Sequence, residues 1–542
     1  MRSKESWISS MARRPGGLWN AVGNITNKKL TNRLDNLIES IGSPTIAAEK
    51  INRYFANFFC EEPDWNALKT ENNGLKWEID ITVANVYDHL RKQKIRKATG
   101  SDGIPPRLLK LAAFVLASPL THLFCLSVTT TTFPDKWKVA DVVPIPKIPA
   151  PKIEDLRPIS KLPVVSKILE KFILTSVKPQ LIMMYGDMQF GFRPSTSTLH
   201  AHIAIQEFLT SSIDNTSVKA VLMISFDMSK AFDKLDHKAL SKTMDESKLP
   251  SAFVKWCKSY LSGRKQCVTL KSFTKSTFCS VTSGVPQGAV LAPYLFAAHL
   301  GRLHPHSSDA HMIKYADDVV TLLPLRNMYD ANNLLNQEID HMMTWCKANG
   351  LELNDNKTKV MLISNKANLS TPPMSVKPTE SLRILGITYD PKLKWNIETE
   401  RRCKKASQRL YILRQLKKIT KKSELIQVHN NFVLGILEYC GPIFLGLSMK
   451  NSQKLEKVQR RSHKIICGSH CDCGNFRTLL DRRESQALKC FIAMREEHHI
   501  LHYLFPHYLP SGQRLSYPFC RTSRRASSFV PTCIRLLNSR LS

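Results

Sequence analysis

Residues 218–244 read VKAVLMISFDMSKAFDKLDHKALSKTM, and residues 312–323 read MIKYADDVVTLL. The first opens with a β-type apolar run, Val218 to Phe226, that ends on an acid, Asp227, and passes into a helix-like Ser229 to Met244. The second reads as strand, Asp-Asp turn, strand. Between them, Gly284 to Leu300 begins as a Gly/Pro/Gln/Gly turn and becomes an apolar helix. Beyond them, Met328 to Ala348 places Leu335, Ile339, Met342 and Cys346 on one helical face, with Gly350 as its stop. Val360 to Ser364 is a further short strand. Strand, helix, hairpin, helix, strand predicts an α+β fold whose antiparallel sheet is of the ferredoxin-like split βαβ type, with helices over one face.

Upstream, Met1 to roughly Tyr87 reads as polar and helical, with Tyr54, Phe55, Phe58 and Phe59 at a spacing that suits packing. Leu111 to Val128 is long and uncharged but holds Pro119, His122 and several hydroxyls, so a buried helix is expected and not a membrane span. Prolines recur from Pro134 to Pro158 around the run Val139 to Ile145, which predicts an extended strand and a loop. After Leu410 the pattern is almost wholly helical and basic.

The 542 residues carry a formal charge of +33. Such self-repulsion is best borne beside a polyanion, of which nucleic acid is the commonest. Arg401 to Ser542 holds 27 basic and 8 acidic residues, so the C-terminal quarter supplies over half of the excess. An apolar fraction of 43% argues against disorder. Fourteen irregularly spaced cysteines, and a polar, basic start without a secretory core, predict reduced thiols in a nuclear or cytoplasmic protein that is not secreted and has no membrane anchor. Cys467, His470, Cys471 and Cys473 are too tightly and irregularly spaced for a usual zinc site and read as free thiols.

Asp227 at the end of a buried strand, and Asp317 with Asp318 in an apolar-flanked hairpin, are costly acids unless a cation, donors or water meets them. Alone, an Asp after an apolar strand is most often a turn or helix cap, and an Asp pair in a hairpin is usually solvated. Together they make a different object. A strand-end carboxylate beside a hairpin pair is the geometry for two hard cations, and oxygen ligands suit Mg²⁺, with Mn²⁺ as a substitute. Two such ions about 3.5–4 Å apart can activate an attacking hydroxyl and stabilise the leaving oxygen of a phosphoryl displacement.

The neighbours of these acids narrow the reading. FDMSKAFDKLDH holds Asp227, SGVPQGAVLAPYLF holds Gln287, and YADD closes on Asp317 and Asp318. In that order they resemble the palm motifs of reverse transcriptases. KATGSDGIP (Lys97 to Pro105) and WKVADVVPIPKIPAPKIEDLRPIS (Trp137 to Ser160) resemble finger motifs. QFGFRPSTST (Gln189 to Thr198) and GLELNDNKTKVML (Gly350 to Leu362) follow the same pattern, and LRILGITYD (Leu382 to Asp390) resembles the primer-side element near the thumb. The style, continued in ILEYCGPIF, LEKVQRRSHKIICG and SSFVPTCIRLLN, is that of non-LTR (LINE-type) retrotransposons, particularly the jockey-like group. Ala292 departs mildly, standing where relatives of this style often have Ser before the Pro.

The resemblance implies an RNA-directed DNA polymerase that extends a DNA primer 3′-hydroxyl, at a nicked target DNA, with dNTPs on an RNA template. Asp227 and Asp317 would bind two Mg²⁺ ions, with Asp318 an accessory carboxylate. Phe232 would exclude the ribonucleotide 2′-hydroxyl by a clash, and Gln287 and Gly288 would line the incoming nucleotide and template base. Lys147 and Arg157 would hold the triphosphate, and Lys357 is a candidate general acid for the leaving pyrophosphate. Lys417, Lys418, Lys421 and Lys422 would grip the primer–template from helices whose other face carries Leu410, Leu413, Leu416 and Ile419. The basic pairs Arg401-Arg402, Lys404-Lys405, Arg460-Arg461 and Arg524-Arg525 extend that surface.

The expected plan is a right-hand polymerase. An N-terminal connector (1–87) precedes fingers with the start of the palm (88–217), a catalytic palm (218–380), a primer-side element with a helical thumb (381–475) and a basic C-terminal extension (476–542). The stretch LWNAVGNITNKK resembles the connector that follows a LINE-type endonuclease domain, so a polymerase portion without its own nicking activity is expected. A group II intron maturase would carry splicing-type X and endonuclease signatures, which are not seen. A non-catalytic RNA-binding derivative would have lost palm acids, and all three are present.

Overall fold

The computed structural model describes residues 18–19, 22–23, 32–270, 274–354, 357–366, 372–468, 477–510 and 512–540. Its strands, in chain order, are β1 (Val139–Pro146), β2 (Leu156–Lys161), β3 (Ala220–Asp227), β4 (Arg264–Val268), β5 (Cys279–Val281), β6 (His311–Tyr315), β7 (Asp318–Leu325), β8 (Lys359–Ile363), β9 (Leu382–Ile384) and β10 (Ile387–Tyr389).

The palm sheet runs β6-β7-β3-β8, every pair antiparallel. Its first strand in sequence lies between its third and fourth, which is the ferredoxin-like order the motif spacing predicts. One expectation needs correcting: helices do not cover a single face. Ala220, Leu222, Ile224 and Phe226 enter one core, together with the helices Val164–Met183, Ser251–Leu261, Ala292–Leu300 and Ala331–Ala348. Val221 and Met223 enter another, beneath the helix Thr198–Asp214, the β9–β10 hairpin and the helices Leu479–Ala493 and Phe529–Asn538. The uninterrupted apolar run of β3, in place of alternation, is the mark of a strand buried on both sides.

A second sheet runs β2-β1-β4-β5, with β1 antiparallel to β2 and parallel to β4. The sequence reading passed over β4 and β5, since RKQCV is mostly polar and CSV is three residues long. The helix Pro44–Ala56 closes one side of this sheet, placing Ile51 and Phe55 with Val142, Leu156 and Val268.

Three local expectations also change. The N-terminal region is helical over Asn32–Ile41 and Pro44–Ala56, but 59–82 has turns and no helix or strand. Without apolar periodicity it is held by anchors, such as Trp77 edge-on to Phe253 and Trp256. The helix-like 229–244 is broken into Ala231–Lys234 and His237–Asp245, because Asp236 turns out to be an N-cap that accepts from the backbone of Lys238 and Ala239. The helix Ala113–Thr129 is not fully buried: Leu120 and Phe124 face the core while Phe114, Val115 and Leu126 are exposed. Among the described residues no helix is long and apolar enough to cross a membrane.

The thumb helices Asn396–Lys417, Lys422–Val428 and Met449–Cys467 share a core of Leu410, Leu413, Leu416, Leu425, Val428, Leu455 and Val458. Leu410, Leu413 and Leu416 therefore face inward as their spacing implies.

Candidate active site

β3 ends on Asp227, which stands directly opposite Asp318, the first residue of β7. β6 ends at Tyr315, so Ala316 and Asp317 alone make the turn. Ala316 has φ +57°, a conformation that costs an L-residue energy and persists only when its surroundings enforce it. The enforcing segment is QFGFRPSTST. Phe190 N donates to Lys314 O at 2.9 Å, and Lys314 N donates to Met188 O at 2.9 Å. Gly191 lies so close that a Cβ there would meet Ala316 N at 2.4 Å. From the other side of β6, the buried Lys314 ammonium donates to Leu300 O at 3.1 Å and Leu303 O at 2.9 Å, and burial lowers it to about 8.

Carboxylates opposite one another across a ladder repel. The Asp318 carboxyl is raised to about 6, first because the crowded surroundings desolvate it, then by Asp317 and Asp227, with Arg157 pulling the other way. Lys357 Nζ donates to Asp227 Oδ2 at 3.0 Å. The stretch before Lys357 is bolted to the end of β3: Asn354 N donates to Asp227 O at 2.9 Å, and Ser229 N donates to Glu352 O at 2.8 Å. This anionic end of the sheet suits a hard cation, and the Lys357 ammonium already stands in for one. As the side chains lie, no three acidic, His or Cys groups among the described residues converge on a single point. An ion on Asp227 Oδ2 would take the place of the Lys357 ammonium.

Five residues after Asp227, the half-buried Phe232 ring stacks on Phe296 at 4.2 Å and meets Phe192 edge-on at 6.1 Å. Gln287 Nε2 donates to Asp233 Oδ1 at 2.7 Å. Burial raises the Asp233 carboxyl to about 6, against the pull of Gln287, Lys230 and Lys147. Ser160 N donates to Gln287 O at 2.8 Å, and Gly288, at φ +135°, rests on the same strand. Fingers and palm therefore join at Gln287–Gly288. Arg157 pairs with Ile145 across β1–β2, and Lys147 follows β1. The Lys147 ammonium is lowered by burial first, then by Arg157 and Lys357, with Asp227 and Asp155 opposing. Lys147, Arg157 and Lys357 thus gather around Asp227 and Asp318.

Lys417, Lys418, Lys421 and Lys422 are exposed where the helix Asn396–Lys417 ends and Lys422–Val428 begins. Two of the expected basic pairs drop out of this basic surface. Arg402 is buried on Glu398 and the carbonyls of Leu437 and Tyr439, while Arg401 binds Glu398 and Gly386 O. Arg525 pairs with Glu207, and Arg524 donates to Asn365 Oδ1 at 2.7 Å. Arg401 and Arg402 tie the helix Asn396–Lys417 to Gly386 and to Leu437 and Tyr439, and Arg524 and Arg525 tie the C-terminal segment to Asn365 and Glu207. Of the cysteine cluster, Cys467 is a free, half-buried thiol, and His470, Cys471 and Cys473 lie outside the described residues.

Sequence reasoning missed Gly191, Lys314 and Asp233. All three lie within motifs given above, and for Asp233 the missing clue was a buried partner, Gln287. Gly191 and Lys314 act only through a contact between segments far apart in the chain.

Residues 145–389, from β1 to the end of β10, match the family model described as reverse transcriptase (RNA-dependent DNA polymerase). The chain carries a reverse transcriptase domain. Around that reverse transcriptase domain it is similar to the probable RNA-directed DNA polymerase from transposon BS of Drosophila melanogaster, 26% identical over 409 residues, which cover 71% of this chain and 44% of the relative. It is similar also to the probable RNA-directed DNA polymerase from transposon X-element of the same organism, at 25% identity over 73% of this chain and 45% of the relative. The RNA-directed DNA polymerase from mobile element jockey matches at 25% over 58% of this chain and 35% of the relative. The chain spans less than half the length of these relatives. A solved structure of apo telomerase from Candida tropicalis, truncated from the C-terminal domain, overlaps 51% of this chain and 59% of its own, at 15% identity and a TM-score of 0.34.

Proposed function

We propose that this chain is the RNA-directed DNA polymerase of a non-LTR retrotransposon, taking an RNA template, a DNA primer at a nicked target, and dNTPs. The observation that carries the reading is Asp227 facing Asp318 at the end of the palm ladder, with Asp317 in the turn between β6 and β7. Asp227 and Asp317 would hold two Mg²⁺ ions, or Mn²⁺, with Asp318 as accessory ligand. Such ions, when bound, supply an activated primer hydroxyl and charge neutralisation at the leaving oxygen.

The remaining steps belong to this chain's side chains. The primer 3′-hydroxyl gives its proton to water, its oxygen forms a bond to the α-phosphorus, the α–β bridging bond breaks, and pyrophosphate departs. Arg157 and Lys147 hold the triphosphate in line, and Lys357, released from Asp227, protonates the departing pyrophosphate. Phe232, backed by Phe296, leaves no room beneath the sugar for a 2′-oxygen. Gln287 and Gly288 form the floor for the nucleotide and template base. Lys417, Lys418, Lys421 and Lys422 grip the duplex, and the division into connector, fingers, palm, thumb and extension follows the same reading. Free thiols at every described cysteine support a nuclear or cytoplasmic place of work.

Primer extension on an RNA template with Mg²⁺ tests the proposal. Asp227→Asn and Asp317→Asn should each abolish extension while nucleic-acid binding stays near that of the parent. Synthesis beyond a trace by either variant rules out the assignment.

A further inference from the structure

Lys230 lies three residues after Asp227, at φ +49°, where the short helix Ala231–Lys234 begins. Its Nζ sits 3.6 Å from the centre of the Phe58 ring and 3.8 Å from that of Tyr54. The two rings meet edge-on at 5.0 Å. The Nζ is shut off from solvent and has no hydrogen-bond acceptor among the described residues. Tyr54 and Phe58 come from the helix Pro44–Ala56 and the turn after it, outside the matched span 145–389. That helix is fixed to β4 and to the segment before β5: Asn52 Nδ2 donates to Thr277 O at 2.9 Å, and Gln266 Nε2 donates to Asn52 Oδ1 at 3.2 Å. Phe58 also lines the cleft shared by Phe232, Asp233 and Gln287.

An ammonium stripped of every hydrogen bond is expensive, and two aromatic faces return part of that cost. If the position needed only filling, a Met or Leu would lie between the rings without it. The surrounding charges give the amine a direction. Asp233 and Glu154 attract it, Lys147 and Lys234 repel it, and Lys147 is itself within reach of Arg157, Lys357 and Asp227. Lys230 is therefore a third cation, close to Lys147 and through it to Arg157, held between two rings with no acceptor bonded to its Nζ among the described residues.

We propose that Lys230 is a triphosphate-binding residue, and that Tyr54 and Phe58 form an aromatic seat that keeps its ammonium at the nucleotide cleft until a triphosphate draws it off. This rests on the polymerase reading above. It makes a segment N-terminal to the matched domain part of the nucleotide site.

The test uses the full chain and poly(rA)–oligo(dT), comparing Lys230→Met, Lys230→Arg and the pair Tyr54→Leu with Phe58→Leu. Lys230→Met should raise KM for dTTP about tenfold, as expected when one charge-assisted hydrogen bond is removed, with kcat within about threefold of the parent. Lys230→Arg should recover most of the loss. The ring pair should raise KM in the same direction, and adding it to Lys230→Met should do no further harm, since the seat acts only through the amine. A KM unchanged in Lys230→Met, or equal losses in kcat and thermal stability that Lys230→Arg does not repair, overturns the proposal. So does full additivity of the ring pair with Lys230→Met. Calorimetric binding of inorganic tripolyphosphate separates this idea from the one beneath it. If the parent makes no DNA, the polymerase reading fails, yet weaker tripolyphosphate binding by Lys230→Met would still support the seat and equal binding would still refute it.

Discussion

Gly288→Ala isolates the joint between fingers and palm. Gly288 sits at φ +135°, where an L-residue is strained, and a Cβ there would stand 2.5 Å from Ser160 O. Ordinary contact begins near 3.4 Å, so the palm loop and β2 must separate by about 0.9 Å. The backbone strain costs about 1–3 kcal/mol. Losing or stretching the 2.8 Å bond from Ser160 N to Gln287 O adds about 1 kcal/mol. Relief by moving β2 carries Arg157, three residues from Ser160 on the same strand, away from Asp318. A shift on the order of 1 Å in a positioning group can cost about 100-fold in rate. The expected result is a melting temperature lower by a few degrees and single-turnover dNTP addition on an RNA template slower by about 100-fold. Hybrid binding should survive, since the thumb is untouched. Addition within about threefold of the parent rate would refute the claim that this contact sets the position of Arg157.

Phe232→Val should raise the use of ribonucleotides relative to deoxynucleotides, read as the ratio of kcat/KM values. An unchanged ratio would leave Phe232 as packing against Phe296 and nothing more. Replacing Lys417, Lys418, Lys421 and Lys422 with Gln should weaken hybrid binding at low salt and flatten its salt dependence. The log–log slope should fall by about 0.9 for each phosphate left without its lysine on B-form DNA, and by a somewhat different amount on a hybrid. Products should shorten while the first addition persists, and an unchanged slope with unchanged length would move the duplex elsewhere. Asp318→Asn should raise the melting temperature in EDTA at about pH 7.5. The folded carboxyl titrates near 6, above its ordinary 3.8, so the ionised form penalises the fold above about pH 6 and the penalty fades as pH falls toward 3.8. A gain that failed to shrink by about pH 4.5 would show that like-charge repulsion is not its source.

The motifs of the candidate site were legible from the sequence because each of them is local. An acid closing an apolar strand, an Asp pair in a hairpin and a Gly/Pro/Gln/Gly turn each have a local signature, and their order determines the ferredoxin-like strand order. Even the burial of β3 on both faces was written in VKAVLMISF, whose lack of alternation was there to be used. Other features were decided only by the tertiary structure, because they exist only where distant segments meet. Gly191 matters through Ala316, 125 residues further on, and Lys230 through rings that precede it by more than 170 positions. The fate of the charges was decided in the same way. Arg402 and Arg525 look like neighbouring phosphate-binding Lys and Arg residues in the sequence, yet each meets a buried glutamate, Glu398 or Glu207, and becomes a fastener. A charge count fixes how much basic surface a chain can have. Which cations reach solvent depends on where the buried acids lie, and that is set when the helices pack.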